Sequence, residues 1–351
     1  MPAPFAERLL AWFDLHGRHD LPWQHPRDPY RVWLAEVMLQ QTQVTTVIPY
    51  FERFLKRFPT VQSLAAAPLD DVLAQWAGLG YYARARNLHR CAQAVVDTHD
   101  GRFPRDFDAI VQLPGIGRST AGAILAQAYG ERHAILDGNV RRVLARHGAI
   151  DGWPGQPKVQ AQLWALSERY LPQTRLADYT QAIMDLGATL CLARSPQCLI
   201  CPVAEDCRAR IDGTVARFPG PKPKKARPAR EARLLLIRNA EGALLLERRP
   251  PVGIWGSLWS PPVLDGAPAA DERLWCEQQG LSLHDAAPRT LPSVAHAFTH
   301  YDLTLHPLEL QVHESGTLHE SGRWRWVTIP DSKSLGLPAP IRKLLDRLPP
   351  P

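Results

Sequence analysis

The residues best equipped for chemistry are a glutamate on one early helix, an aspartate between two later ones, and four clustered cysteines. Glu36 lies in a segment opened by Asp28-Pro29, with Asp in the capping position and Pro at the first helical residue. Tyr30, Trp33, Leu34, Val37 and Met38 recur at helical spacing and make one core face. Glu36 falls off that stripe, so it is either a solvated side chain or an acid pointing into a cleft beside the core. Gln40-Gln41-Thr42-Gln43 ends the segment with amide and hydroxyl groups suited to base edges or phosphates. Asp137 stands in Leu136-Asp-Gly-Asn-Val140. Cys191, Cys198, Cys201 and Cys207 have the spacing C-x6-C-x2-C-x5-C, while Cys91 and Cys276 are isolated and read as ordinary thiols. Four clustered cysteines in an intracellular chain point to a metal centre rather than disulfides. Zinc and a [4Fe–4S] cluster both take four thiolates; zinc sites usually show two CxxC knuckles, and the single one here favours iron–sulfur.

The elements that position these groups are mostly helical. Leu113–Ile124 reads as helix, tight turn, helix: Pro114 stops the first, Gly115 and Gly117 supply the turn's φ values, and Ser119 or Thr120 caps the second. A glycine turn at a helix N-terminus either presents free N–H groups to an anion such as a DNA phosphate or is an ordinary helix–turn–helix corner. Further helices are predicted at Val44–Phe58, Val61–Ala66, Leu69–Ala77, Ala83–Thr98, Asp106–Leu113, Ser119–Ala128 and Asn139–Arg146. Gly78-Leu79-Gly80-Tyr81-Tyr82 is a glycine-flanked loop whose Leu and Tyr are either base-stack wedges or core residues. No strand-like alternation occurs before Phe218, so the first half is all-α. Beyond a basic, Pro-rich linker, strands at Ala232–Ile237, Ala243–Glu247 and Arg323–Ile329, partial alternation over Phe298–Leu310 and a terminal helix around Ile341–Leu348 mark a separate α+β domain.

Bulk properties set the limits. A chain of 351 residues exceeds what one core usually serves, and 45% hydrophobic composition is that of a globular protein. No apolar run is long enough to span a membrane and no signal peptide is visible, so the expected location is cytoplasmic. The net charge of +6 is concentrated between Arg208 and Arg230, where eight basic residues meet one acid. A basic linker accounts for it, and the charge is weak evidence for DNA binding.

Taken together, the hairpin, the Asp after the next helix and the cysteine spacing resemble the endonuclease III-like superfamily of base-excision glycosylases. Glu36-Val-Met-Leu-Gln-Gln-Thr-Gln-Val44 and Gly78-Leu-Gly-Tyr-Tyr-Ala-Arg-Ala-Arg-Asn87 are similar to its adenine DNA glycosylase branch. The resemblance is dense from Pro4 to Cys207 and looser beyond. It implies a multidomain protein. Residues 1–217 would be an all-α helix–hairpin–helix glycosylase domain whose four cysteines hold a [4Fe–4S] cluster, residues 218–230 a linker, and residues 231–351 an α+β Nudix-like domain that reads the lesion.

The same resemblance implies roles. Glu36 would be the general acid that protonates the departing adenine, and Asp137 would stabilise or trap the positive sugar, the two-carboxylate logic of glycoside cleavage. Glu36 should then be desolvated and Asp137 more polar in its surroundings. Asn139 would orient them, and Trp23, Leu39 and Gln181 would line the pocket for a base flipped out of the stack. Ser119 occupies the place where glycosylases that also cut the strand carry a lysine, implying a hydrolytic, monofunctional enzyme. Gln41, Thr42, Leu79 and Tyr81 match positions beside the base opposite adenine. Phe298-Thr299-His300 matches a Phe-Ser-His loop that contacts 8-oxoguanine, with Thr299 in place of Ser. Leu274 and Gln278 stand where a Nudix hydrolase needs metal-binding Glu, so pyrophosphatase activity is not expected. The expected partner is double-stranded DNA carrying A:8-oxoG or A:G mispairs, bound by a monomer with no membrane association. Two other readings compete: an endonuclease III-like glycosylase/lyase acting on oxidised pyrimidines, and a non-catalytic DNA-binding protein that keeps the motifs as scaffold.

Overall fold

A computed structural model describes residues 3–223, 226–251, 253–265, 271–298, 300–313 and 322–348. The chain divides into two compact units, residues 1–66 with 87–224 and residues 67–86 with 225–351. The segment 67–86, expected in the helical domain, thus groups with the C-terminal unit.

The helices are α1 (Phe5–His16), α2 (Pro29–Leu39), α3 (Val44–Arg57), α4 (Val61–Ala65), α5 (Leu69–Trp76), α6 (Ala83–His99), α7 (Phe107–Val111), α8 (Arg118–Tyr129), α9 (Gly138–His147), α10 (Pro157–Tyr170), α11 (Leu176–Asp185) and α12 (Arg208–Ile211). A π-helical turn, Leu186–Leu190, extends α11 towards the first cluster cysteine. In the first unit α8 packs against α2, α7 and α11, and α9 packs against α10, α11 and α12. The predicted face of α2 is buried, from Tyr30 to Met38, and Asp28 caps the helix by accepting from the Arg31 N–H at 3.1 Å. A second core forms around Phe5, Leu9 and Phe13 of α1, Leu144 of α9, Leu163 of α10 and Ile183 of α11. Helices α10 and α11 were not read from the sequence.

The second unit holds β1 (Ala229–Arg238), β2 (Leu244–Arg248), β3 (Trp259–Ser260), β4 (Val263–Asp265), α13 (Glu272–Gln278), β5 (Arg289–Thr290), β6 (Val294–Ala297), β7 (Asp302–Gln311), β8 (Trp324–Val327), α14 (Ile329–Ser332) and α15 (Ala339–Leu345). Strands β1 and β7 run parallel at the centre, paired from Ala229↔Asp302 to Arg238↔Gln311. The sheet order is β3-β2-β1-β7-β5, with β4, β6 and β8 pairing β1, β7 and β2. Alternation along β1 sends Ala232, Leu234 and Leu236 into one core with Ile341 and Leu345 of α15, and Leu235 and Ile237 into another with Cys276 of α13. Covering both faces makes β1 an almost continuous apolar run rather than a clean alternation.

Segment 67–86 joins this unit through side chains that reach the sheet's loops. Arg248 pairs with Asp70 at 2.8 Å, Tyr82 donates its hydroxyl to the Leu337 carbonyl, and Arg86 donates to the Gly256 carbonyl. The stretch read as a linker is itself partly fixed. Phe218 is buried and its carbonyl accepts from Arg146, Gly220 bonds to Gly152, and Ala229–Arg230 already belong to β1.

Candidate active site and cluster loop

Glu36 sits on α2, which packs on the hairpin helix α8. It is partly buried, and Gln127 of α8 donates to its Oε1 at 3.3 Å. Burial raises its pKa to about 8, the nearby Asp137 charge adds to the rise, and the Gln127 contact opposes it. Near neutral pH this carboxyl is therefore largely protonated. Asp137 is the N-cap of α9, accepting from the Val140 N–H at 2.7 Å. Burial also raises its pKa, against the opposing pull of the Val140 and Asn139 amides and of Arg142 and Arg141. The polar surroundings expected for Asp137 are present, but burial outweighs them and the net direction is upward, a correction to the sequence reading.

Ser119 does not cap α8. The cap position is Gly117, without a side-chain cap bond, and the Ser119 hydroxyl instead accepts from the Leu136 N–H at 2.9 Å. It thereby ties the start of the hairpin helix to the residue before Asp137. Of the two hairpin glycines, Gly115 meets the expectation and Gly117 departs from it. Gly115 has φ +79°, and a Cβ there would approach the Asn87 Cβ to 2.8 Å. Gly117 has an ordinary negative φ, and a Cβ there meets nothing within 4 Å. Neither fold nor strain demands glycine at position 117. What its missing side chain leaves clear is the approach to the first N–H groups of α8.

The other site residues separate into exposed and buried sets. Gln41 and Tyr81 are exposed and both have positive φ, 59° and 49°, a conformation that costs energy for a side chain with a Cβ. Thr42 lies beside Gln41 and its N–H bonds to the Leu39 carbonyl. Leu79 is buried, with its N–H bonded to the Trp76 carbonyl, so of the two wedge candidates in this loop only Tyr81 presents its side chain to solvent. Trp23 is buried with its edge against Phe51, and Leu39 is partly exposed at the end of α2. Gln181 is buried on α11 and donates to Asp185 at 2.7 Å. Asn139 accepts from Arg142. In the second unit, His300 is exposed on the turn between β6 and β7, which closes with Phe298 N–H bonding to the Tyr301 carbonyl. Thr299 lies outside the described residues.

None of the four cluster cysteines is in a disulfide, and all four line one cavity, walled also by Val143, Leu186 and Val203. The donor set that a four-thiolate centre requires, four thiols, thus lines this one cavity. Arg146 of α9 lies against it, donating to the carbonyls of Leu192 (2.6 Å), Ala193 (3.2 Å) and Phe218 (3.0 Å) and approaching the Cys191 Sγ at 3.3 Å. Arg142, one turn earlier, donates to the carbonyls of Cys191 and Gly187. One helix therefore carries Asp137 at its cap and grips the cysteine loop with its side chains.

Sequence reasoning missed Gln127, Asp185 and the two arginines. Gln127 had a signal, an amide inside the apolar run Ala121–Ala128. Arg142 and Arg146 are spaced i, i+4 on α9, which lets both face one loop.

Comparison with known proteins matches residues 34–169 to HhH-GPD superfamily base excision DNA repair proteins, residues 191–207 to the iron–sulfur binding domain of endonuclease III, and residues 233–347 to the NUDIX domain. These place a helix–hairpin–helix glycosylase, a [4Fe–4S]-binding loop at residues 191–207 and a Nudix domain in one chain. The adenine DNA glycosylase of Buchnera aphidicola (Acyrthosiphon pisum symbiont) is 36% identical over 343 residues, covering 97% of both proteins. The human adenine DNA glycosylase is 34% identical, covering 97% of this chain and 73% of its own. The solved structure of a thermostable thymine-DNA glycosylase matches with TM-score 0.54 and 28% identity, over 59% of this chain and 95% of that one. A trapped endonuclease III–DNA covalent intermediate matches with TM-score 0.51 and 25% identity, over 59% and 94%. The chain belongs to the adenine DNA glycosylase family.

Proposed function

We propose that the protein hydrolyses the N-glycosidic bond of adenine mispaired with 8-oxoguanine or guanine in duplex DNA, acting as a monomer and leaving the strand intact. The observation that carries the reading is Glu36, a carboxyl kept protonated near neutral pH by burial and by the neighbouring Asp137. Adenine is a poor leaving group until protonated, and Glu36 supplies that proton. Asp137, held by the amides of its own helix start, faces the positive charge that grows on the sugar. Asn139 orients this pair, while Trp23, Leu39 and Gln181 receive the flipped base. Ser119 puts a hydroxyl rather than an amine at the hairpin helix, so water completes the reaction. In the first unit Gln41 and Thr42, and in the second unit Tyr81 and His300, are each proposed to meet the base opposite adenine, as is Thr299, which lies outside the described residues. The exposed, positive-φ backbone of Gln41 and Tyr81 supports this placement. The cluster, when bound, cross-links the end of the helical unit, and Arg142 and Arg146 hold its loop.

Incubating the protein with duplexes carrying A opposite 8-oxoG, A opposite G, A opposite T, and thymine glycol opposite A tests the reading. Adenine release from the first two with an unbroken abasic strand is expected. Release of thymine glycol with strand scission would favour the glycosylase/lyase reading, and binding without release the scaffold reading.

A further inference from the structure

One buried carboxylate of the first unit is used by none of these roles. Asp185, one turn beyond Gln181 on α11, is fully buried and its carboxylate only accepts. Its Oδ2 takes the backbone N–H of Arg18 at 2.8 Å, and its Oδ1 takes the Arg18 guanidinium at 3.0 Å from Nε and 2.6 Å from Nη2. Oδ1 also takes the Gln181 side-chain amide at 2.7 Å. A glutamine amide can present either its NH2 or its oxygen to a neighbour, and only the neighbour's chemistry decides which. Both Asp185 oxygens already accept from Arg18, so Gln181 turns its NH2 inward. Its Oε1 then faces away from Asp185, and among the described residues that buried oxygen accepts no hydrogen bond. A buried acceptor left without a donor is costly, and a ligand carrying an N–H removes the cost.

We propose that Asp185, held by Arg18, is a positioning residue that fixes Gln181 as an acceptor and so makes the site select a purine with an exocyclic amine over one with a carbonyl at the same carbon. This rests on the reading that Gln181 lines the base pocket. A C6 carbonyl would bring oxygen against oxygen, and a site built around one polarity rejects the other far more strongly than it rejects a change of size.

The test compares single-turnover release of adenine and of hypoxanthine from the same duplex context by wild type, Asp185→Asn, and the swap Asp185→Asn with Gln181→Glu. In Asp185→Asn the new amide can present either end, Gln181 is free to turn over, and the adenine-to-hypoxanthine ratio should fall about tenfold or more. In the swap, the amide introduced at position 185 donates to the carboxylate introduced at position 181, whose other oxygen again accepts, and the ratio should return to within a few-fold of wild type. A merely structural Asp185 would slow both substrates together and leave the ratio unchanged, and that result overturns the proposal. Should Asp185→Asn fail to fold, the swap, which keeps one carboxylate in the pair, is read alone: a ratio near wild type supports the proposal, and a collapsed ratio overturns it. Wild type that releases no adenine from any duplex would instead remove the functional reading itself, a failure distinct from adenine release with an insensitive ratio.

Discussion

At the scale of single residues, Glu36 serves catalysis at the expense of stability. Its carboxyl titrates near 8 in the folded protein and within the ordinary carboxylate range once unfolded. Between those values the folded state binds a proton that the unfolded chain has lost, so stability falls as pH rises from about 4.5 to about 8. Glu36→Gln removes that penalty. The variant should release no adenine yet bind the mispair. It should also be more stable than wild type by on the order of 4 kcal/mol at pH 8, a gain that vanishes near pH 4. Thermal denaturation at the two pH values checks it, and equal differences at both would show that Glu36 is not held protonated. Base release by wild type should follow a bell-shaped pH profile. The basic limb reflects loss of the Glu36 proton near 8, and the acidic limb reflects protonation of Asp137 above the usual aspartate range. Ser119→Lys places an amine beside the Leu136–Asp137 segment, where the helix dipole and desolvation favour its neutral, nucleophilic form. That variant should cleave the strand and be trapped on DNA by borohydride, whereas wild type should be trapped far less. Strong trapping of wild type would mean that this site finishes its reaction differently.

At the scale of elements, α9 is the piece on which site and cluster loop both depend. Its first turn is capped by Asp137, and its later turns hold three carbonyls of the cysteine loop and the buried Phe218 carbonyl through Arg142 and Arg146. Arg146→Met leaves the buried Phe218 carbonyl and the part-buried Leu192 and Ala193 carbonyls without this donor, a loss of roughly 3 kcal/mol. Iron content should drop below the four per chain expected of a cubane, and DNA binding should weaken with it. Arg194 is exposed in the same loop. Its replacement by Met should leave iron content unchanged and only reduce the salt dependence of DNA binding. Iron analysis of the two purified variants separates the cases; an iron-replete Arg146→Met protein would show that the cluster holds its loop without α9.

At the scale of the whole molecule, the division into units decides what a truncation does. A fragment ending near Phe218 keeps Glu36, Asp137 and the cysteines, so it should bind its cluster and release adenine. It loses the partners of segment 67–86, including Arg248 for Asp70, the Leu337 carbonyl for Tyr82 and the Gly256 carbonyl for Arg86. Amide exchange across 67–86 should therefore quicken in the fragment. Its preference for 8-oxoguanine over guanine opposite adenine should fall, because it lacks the β6–β7 turn and the partners that hold segment 67–86, with Tyr81, in the second unit. Equal preference in fragment and full-length protein would remove the lesion-reading role of that unit.

Local patterns alone determined a good deal. The apolar spacing and Asp-Pro start of α2 set that helix and left Glu36 off its core stripe, and the cysteine spacing identified the cluster loop, because each depends on residues within a few turns of one another. Lengthy β1 and β7 were legible for the same reason. The two- to four-residue strands β3–β6 were not, since pairing partners far along the chain hold them extended. Whether Glu36 was a surface charge or a held acid could not be read from α2, because its protonation depends on Gln127 and Asp137 from two other helices. The inward turn of Ser119, the burial of Leu79 and the orientation of the Gln181 amide likewise come from contacts that only the folded chain makes. Sequence spacing specifies which face of an element a side chain occupies. Desolvation and hydrogen-bond polarity belong to whatever packs against that face, and those were decided by the tertiary structure.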